Sequence, residues 1–201
     1  MQIETFTVGM LQTNCYVASD PQSKEAIIID PGFDFSGEAQ PIINYIEQAK
    51  LKVKYIVNTH GHDDHTKGNR LLQQKYGVPL CIHALDAVFL EDNASSNIML
   101  QDGSQIKFGA ETLNVLHTPG HTPGCICLLD GEVMFSGDTL FAYSIGRTDF
   151  AEGSPSDMKR SLQRIKQLPD NLIVYPGHGE VTVLGEEKRV NPFLADGNSY
   201  F

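Results

Sequence analysis

Seven consecutive residues, Thr59-His60-Gly61-His62-Asp63-Asp64-His65, bring three histidines and two aspartates together in mid-chain. Imidazole nitrogens and carboxylate oxygens are the ligands that cations of zinc's borderline softness take. In extended backbone successive side chains alternate sides, so His60, His62 and Asp64 face one way and His65 the other. Such a run can give two ligands to one metal ion and two to a neighbour. The interleaving of His with Asp, away from either end, separates it from a polar loop or a terminal tag.

Three further segments offer ligands of the same types. His121 sits in Thr118-Pro119-Gly120-His121-Thr122-Pro123-Gly124, Asp138 in Ser136-Gly137-Asp138-Thr139, and His178 in Pro176-Gly177-His178-Gly179. Each follows a segment that reads as a β-strand. Proline and glycine let such loops bend tightly and aim a side chain. Asp30, which ends a buried strand before Pro31-Gly32, suits accepting a hydrogen bond from a ligand's second nitrogen or from the metal-loop backbone. Asp63 reads as pointing away from the metals or orienting its neighbours. His83 reads as structural, and His117, four residues before His121, as structural or supporting. Arg147 is a candidate for an anionic substrate group.

The elements that must position these residues are legible in the apolar pattern. Residues 2–8, 14–18, 26–29, 53–58, 79–83, 105–108, 112–116, 125–129, 132–135 and 172–175 read as strands. Asp130-Gly131 is a hairpin turn. A helix is predicted over 38–50, with Pro41 in its first turn, and another over 68–76, stopped at Gly77. Residues 84–104 suggest a short helix at 86–90 and then a loop. Ser154-Pro155-Ser156-Asp157 is a helix start, followed by Met158, Leu162 and Ile165 at helical spacing. A ligand cluster where a strand stops and a helix starts is where α/β folds place active sites. Hairpins mixed with helical connections imply one α/β domain over residues 1–201, with mixed sheets.

Composition bounds the function. The 201 residues suffice for one large core, and 41% hydrophobic with 20% charged residues is ordinary for a globular protein. A net charge of −10 argues against general nucleic-acid binding. No apolar run is long enough to span a bilayer, no signal peptide is visible, and the terminal Phe201 suggests no lipidation. The cysteines, Cys15, Cys81, Cys125 and Cys127, form no C-x-x-C pair and read as buried thiols in a reducing cytoplasm.

With these residues assembled, the chain resembles the metallo-β-lactamase superfamily. The motifs are T-H-G-H-D-D-H at 59–65, T-P-G-H-T at 118–122, S-G-D-T-L-F at 136–141 and P-G-H-G at 176–179, together with Thr13-Asn14-Cys15-Tyr16 and Ile29-Asp30-Pro31-Gly32. The resemblance implies an αββα sandwich, two mixed sheets face to face with helices outside and a metal site along one edge. It implies that His60, His62 and His121 bind one metal, that Asp64, His65 and His178 bind a second, and that Asp138 bridges the two.

Within the superfamily the chain looks most like the small glyoxalase II-like, or hydroxyacylglutathione hydrolase-like, enzymes. That implies two divalent cations, zinc first and iron or manganese as alternatives. A metal-bridging hydroxide would attack a thioester or ester carbonyl, with Asp64 and Asp138 in the catalytic machinery. The expected partner is a small molecule, not nucleic acid or a membrane; the oligomeric state is open. Full-length glyoxalase II carries a C-terminal helical region for glutathione that this chain is too short to hold. Arg147 stands in place of a glutathione-contacting lysine there, and Glu180 in place of a tyrosine. Gly146-Arg147-Thr148-Asp149-Phe150 also resembles persulfide dioxygenases, a mononuclear-iron branch of the fold. That branch, a lactone or other ester hydrolase, a nucleic-acid hydrolase, and a non-hydrolytic metal-binding protein are the alternatives.

Overall fold

The structure, a computed structural model, describes residues 1–90 and 97–195. Part of the loop expected over 84–104, at 91–96, and the terminal Phe201 lie outside the described residues.

Twelve strands form two six-stranded sheets among the described residues. The first holds β1 (Gln2–Val8), β2 (Thr13–Ser19), β3 (Glu25–Ile29), β4 (Lys52–Val57), β5 (Leu80–His83) and β6 (Ile98–Leu100), in that spatial order. Its first two pairings are antiparallel and the remaining three parallel. The second holds β7 (Gln105–Phe108), β8 (Glu111–His117), β9 (Ile126–Leu129), β10 (Val133–Gly137), β11 (Ile173–Pro176) and β12 (Thr182–Val183). Here only β10 and β11 pair in parallel. Both sheets are therefore mixed, as the alternation of hairpins and helical connections requires.

Two-residue periodicity gives each sheet an inner and an outer apolar face. Tyr16, Ile27, Ile29 and Val57 from the first sheet meet Phe108, Val115, Leu128 and Phe135 from the second in a core between the sheets. On the outer face of the first sheet, Val17, Ile28 and Ile56 pack against α1 (Ala39–Gln48) and α3 (Asn69–Tyr76). On the outer face of the second, Cys127, Met134 and Val174 pack against α4 (Pro155–Lys166) and α5 (Leu184–Val190). The layers run α-β-β-α.

The helix signals act as their chemistry predicts. Pro41 occupies the first turn of α1, where no intrahelical partner for its nitrogen is needed. Gly77 ends α3 in the left-handed region at φ 64°. Ser154 caps α4, its hydroxyl accepting from the Asp157 amide at 3.2 Å. Four short elements go beyond the sequence reading: α2 (Asp63–Thr66), β6, β12 and α5. The first three are too short to carry a period, and α5 has only Leu184 as a fully buried apolar anchor.

The parallel pairings decide where function sits. β3 and β4 run together, as do β10 and β11, and β8 shares the direction of β10 through the intervening antiparallel β9. The loops leaving β3, β4, β8, β10 and β11 consequently gather at one edge, where the two sheets are also joined directly. The Asn14 amide donates to Gly177 O at 2.7 Å and the Ile126 amide to Thr59 O at 2.9 Å.

Phe135 lies at the middle of the inter-sheet core, fully buried, with ring centroids 5.2 Å from Tyr16 and 5.4 Å from Tyr175. Phe135→Ala is expected to lower the unfolding free energy by about 3–5 kcal/mol, the cost of a large cavity in a packed core. Urea denaturation checks this. A loss below about 1 kcal/mol would mean that the core collapses around the gap.

Candidate metal centre

β4 ends at Val57, and Asn58 turns the chain by donating from Nδ2 to His65 O at 3.0 Å. His62 is still extended, at φ −66° and ψ 147°, but α2 starts at the next residue. The alternating reading of this run therefore needs correction. Asp64 does not share a side with His60 and His62. One helical turn, closed by the His65 amide on His62 O at 3.0 Å, carries Asp64 and His65 together into a second group. The carboxylates of Asp63 and Asp64 suit the positive end of that turn. Gly32 lets the turn sit against the end of β3, since a Cβ there would lie 1.4 Å from Asp64 O.

Three sets of ligand atoms converge, each within 4.8 Å of one another: His60, His62 and His121; Asp64, His65 and His178; and His60, His65 and Asp138. Asp138 lies between the first two. Its Oδ2 is 3.4 Å from His121 Nε2 and 3.5 Å from His178 Nε2, and its Oδ1 is 3.4 Å from His65 Nε2. All seven residues singled out as ligands in the sequence thus meet at one edge of the sandwich.

Four histidines of the cluster are hydrogen-bonded outward through the other ring nitrogen, and the fifth, His65, faces a carboxylate there without a hydrogen bond of good geometry. His60 Nδ1 is 3.2 Å from Thr59 Oγ1, His62 Nε2 is 2.9 Å from Glu152 Oε1, and His121 Nδ1 is 2.7 Å from Arg147 O. His65 Nδ1 is 3.0 Å from Asp30 Oδ2 and His178 Nδ1 is 3.1 Å from Leu11 O. Outward N–H donation to oxygen selects the tautomer whose inner nitrogen carries a lone pair. Those inner nitrogens face each other, His62 Nδ1 to His121 Nε2 at 2.9 Å and His65 Nε2 to His178 Nε2 at 3.3 Å. His60 Nε2 is buried and has no hydrogen-bond partner. Lone pairs converging in this way are satisfied by a cation, and imidazole with carboxylate is a donor set that fits zinc, iron or manganese.

The electrostatics divide the cluster. Burial opposes charge on His65, but Asp138 and Asp30 together outweigh it and raise its pKa well above the ordinary value. Burial also opposes charge on His178, where the hydrogen bond to Asp64 and the charge of Asp138 win, and its pKa is raised. His60 goes the other way: burial first, then its histidine neighbours, hold it well below. Burial lowers His121 against the pull of Asp138. Asp64 and Asp138 remain ionised despite burial because histidines and, for Asp64, the Thr13 hydroxyl stabilise their charge.

The supporting residues were only partly readable. Asp30 does both things expected of it: its carboxylate accepts from the Thr59 amide at 2.8 Å and hydroxyl at 2.6 Å, and it faces His65. Asp63 is outside all three ligand sets and lines the mouth of the site with Phe89, Phe150 and Glu152. His83 and His117 stack face to face at 4.1 Å, with His117 Nε2 on Pro123 O at 2.8 Å. Arg147 makes a two-bond fork to Asp149, at 2.9 and 3.0 Å, and lies over the Phe150 ring. Glu152, the Thr13 hydroxyl and the Leu11 and Arg147 carbonyls escaped the sequence reading. A carbonyl has no side-chain signature, and Glu152 lies 90 residues from the ring it meets.

The comparisons agree with this geometry. The sequence model of the metallo-beta-lactamase superfamily matches residues 8–178. The hydroxyacylglutathione hydrolase GloC of Haemophilus influenzae is 37% identical over 96% of this chain and 98% of its own length. The mitochondrial persulfide dioxygenase ETHE1 of Bos taurus is 34% identical over 90% of this chain and 71% of its own. The crystal structure of TTHA1623 in a di-iron-bound form superposes with a TM-score of 0.83 at 31% identity, covering 95% of this chain and all of the other. Strand order, layers and the clustered His/Asp site all accord with the sequence match, and the chain belongs to the metallo-beta-lactamase superfamily.

Proposed function

We propose that this protein is a metal-dependent hydrolase that cleaves a small-molecule thioester or ester, in the manner of the hydroxyacylglutathione hydrolases. His60, His62 and His121 would hold one cation and Asp64, His65 and His178 a second, with Asp138 shared. The observation that carries the reading is the position of Asp138, whose two oxygens face ligand nitrogens of both sets. Two cations would supply Lewis acidity, acidifying a water for attack and polarising the carbonyl. Zinc is the first choice and iron or manganese the alternatives. Four unpaired, buried thiols support placing the enzyme in a reducing compartment, the cytoplasm.

The chain's own residues have distinct tasks in this scheme. Asp64, held by the Thr13 hydroxyl at 3.0 Å, and Asp138 orient the attacking water and remain ionised at neutral pH. Phe150, whose ring centroid is 5.5 Å from His62 and 5.8 Å from His121, shields one side of the mouth from water. Arg147 meets an anionic group of the substrate by exchanging its exposed fork on Asp149, a contact that costs little to give up. The persulfide dioxygenase reading is the runner-up, favoured by the ETHE1 relative and the run Gly146–Phe150. It needs one iron on part of the ligand set and open positions for oxygen.

His178→Ala separates the two. A dinuclear hydrolase is expected to carry about two metal ions per chain and, in this variant, to lose one and at least about 10²-fold in thioester cleavage. Metal analysis and a thioester assay read both quantities. One iron per chain, oxygen uptake with a persulfide, and no thioester cleavage would promote the dioxygenase.

The opposite pKa shifts predict a difference between the centres. A cation entering the Asp64/His65/His178 set competes with protons, and the raised pKa values of His65 and His178 make that competition harder than at an ordinary imidazole. Its affinity should therefore fall as pH falls, with protons released on binding. His60 and His121, with lowered pKa values, hold protons less firmly and lose less. Between about pH 8 and about pH 6, His62→Ala, which retains the first of these sets, should shed metal before His178→Ala does. Metal counts after dialysis across that range check the order, and the reverse order would contradict the assignment.

Arg147→Ala should raise KM for an anionic thioester roughly tenfold, the scale of one charge-assisted contact, with metal content unchanged. Steady-state kinetics decide it; an unaltered KM removes Arg147 from substrate binding.

A further inference from the structure

Asp86 lies in the turn after β5, its amide on His83 O at 3.0 Å, and it is completely buried. Its carboxylate accepts three short hydrogen bonds from two other segments. Oδ2 accepts from the Gly61 amide at 2.8 Å and the Thr122 hydroxyl at 2.6 Å, and Oδ1 accepts from the Gly124 amide at 2.6 Å. Gly61 is the residue between His60 and His62, and Thr122 follows His121 directly. One buried carboxylate thus joins the loop after β4 to the loop after β8, beside all three histidines of one ligand set.

The approach is close enough to dictate residue types. A Cβ at Gly61 would lie 2.8 Å from Asp86 O, and one at Gly124 would lie 2.5 Å from Asp86 Oδ1. Glycine at both positions is what lets the two loops reach the carboxylate. The Thr122 hydroxyl is also 3.0 Å from Cys125 Sγ; donating its proton to Asp86, it can accept from the thiol. None of these bonds reaches Asp64, His65 or His178, whose region is held instead by Asp30, Thr13 and Leu11.

We infer that Asp86 is the positioning residue of the His60/His62/His121 centre, setting through the backbone the separation of the two loops that deliver its ligands and hence that centre's metal affinity. The inference rests on the proposed assignment of those three histidines to one cation. Asp86 touches no ligand side chain among its hydrogen bonds, so it acts by placement: without it the Gly61 and Gly124 amides lose their buried acceptor and the loops are free to part.

The test is titration of the metal-free protein with Zn²⁺ against a chromophoric chelator, for wild type, Asp86→Ala, Asp86→Asn and Thr122→Val. His62→Ala, run alongside, marks which equivalent belongs to the His60/His62/His121 centre. Asp86→Ala should weaken that equivalent by roughly 10- to 100-fold and leave the other unchanged. Asp86→Asn, which sets an amide NH₂ against one of the three donors, should fall between Asp86→Ala and wild type. Thr122→Val, which keeps the carboxylate and both amide bonds, should weaken the same equivalent by a smaller factor. Unchanged affinity in Asp86→Ala, or equal weakening of both equivalents, as a general loss of packing would give, overturns the inference. Should Asp86→Ala fail to fold, the selective loss is read in the other two variants, and its absence from both is equally decisive against it. Wild type that takes up a single equivalent counts against the dinuclear reading instead. Asp86 is then judged on that equivalent, weakened in support or unchanged in refutation.

Discussion

Five imidazole rings crowd one edge of this sandwich with their inner nitrogens as close as 2.9 and 3.3 Å, and such an approach of lone pairs must be imposed from outside. The imposition is made ring by ring. Each histidine spends its other nitrogen on an oxygen behind it, and those oxygens come from Thr59, Glu152, Arg147, Asp30 and Leu11. Four outward hydrogen bonds, and at His65 the Asp30 carboxylate 3.0 Å behind the ring, hold the five ring planes. The site exists because the fold can place an oxygen acceptor behind every ring at once.

That requirement explains several features that look separate. Leu11 belongs to the turn between β1 and β2, and it reaches His178 only because the isolated bridge between Thr13 and His178 pins the first sheet to the end of β11. Asp30 sits at positive φ, 50°, and from there serves both Thr59 and His65. The strain of a non-glycine residue in that region is small beside the loss of two buried donors' acceptor. Asn14 adds a third tie between the sheets, its side-chain amide donating to the carbonyls of Pro176 and Gly179 at 3.1 and 2.9 Å.

The division of charge follows from the same placement. Carboxylates surround His65 and His178, whereas His60 has other histidines for neighbours. His65 and His178 are therefore shifted up, and His60 and His121 down, although all four are imidazoles at one edge of the sandwich. Burial acts against the charged form everywhere; two carboxylates overcome it at His65 and at His178, and Asp138 alone does not at His121.

How much of this was legible beforehand depends on whether a feature is local. The strands, the α1, α3 and α4 helices and the seven candidate ligand residues are written in period, turn chemistry and motif; the order of hairpins and crossovers gives mixed sheets, and the sandwich came from the family resemblance. Asp30 could be named as a candidate because it ends a buried strand, but an aspartate before Pro-Gly is equally a turn residue, and its contacts with Thr59 and His65 decide between the two. The grouping of the ligands could not be read from alternation. A helical turn at Asp63, packed against Gly32, overrides the extended pattern that local spacing suggests. Glu152 and Asp86 were invisible for a related reason. A buried or half-buried carboxylate is informative only through its donors, and theirs lie 90 and at least 25 residues away. The sequence by itself determined which atoms could bind metal and on which strand ends they would ride, because ligand type and strand period are local properties. Tertiary structure decided which nitrogens point inward, since a ring turns to the oxygen behind it and, for every ring but His60, that oxygen is supplied by chain far removed in sequence.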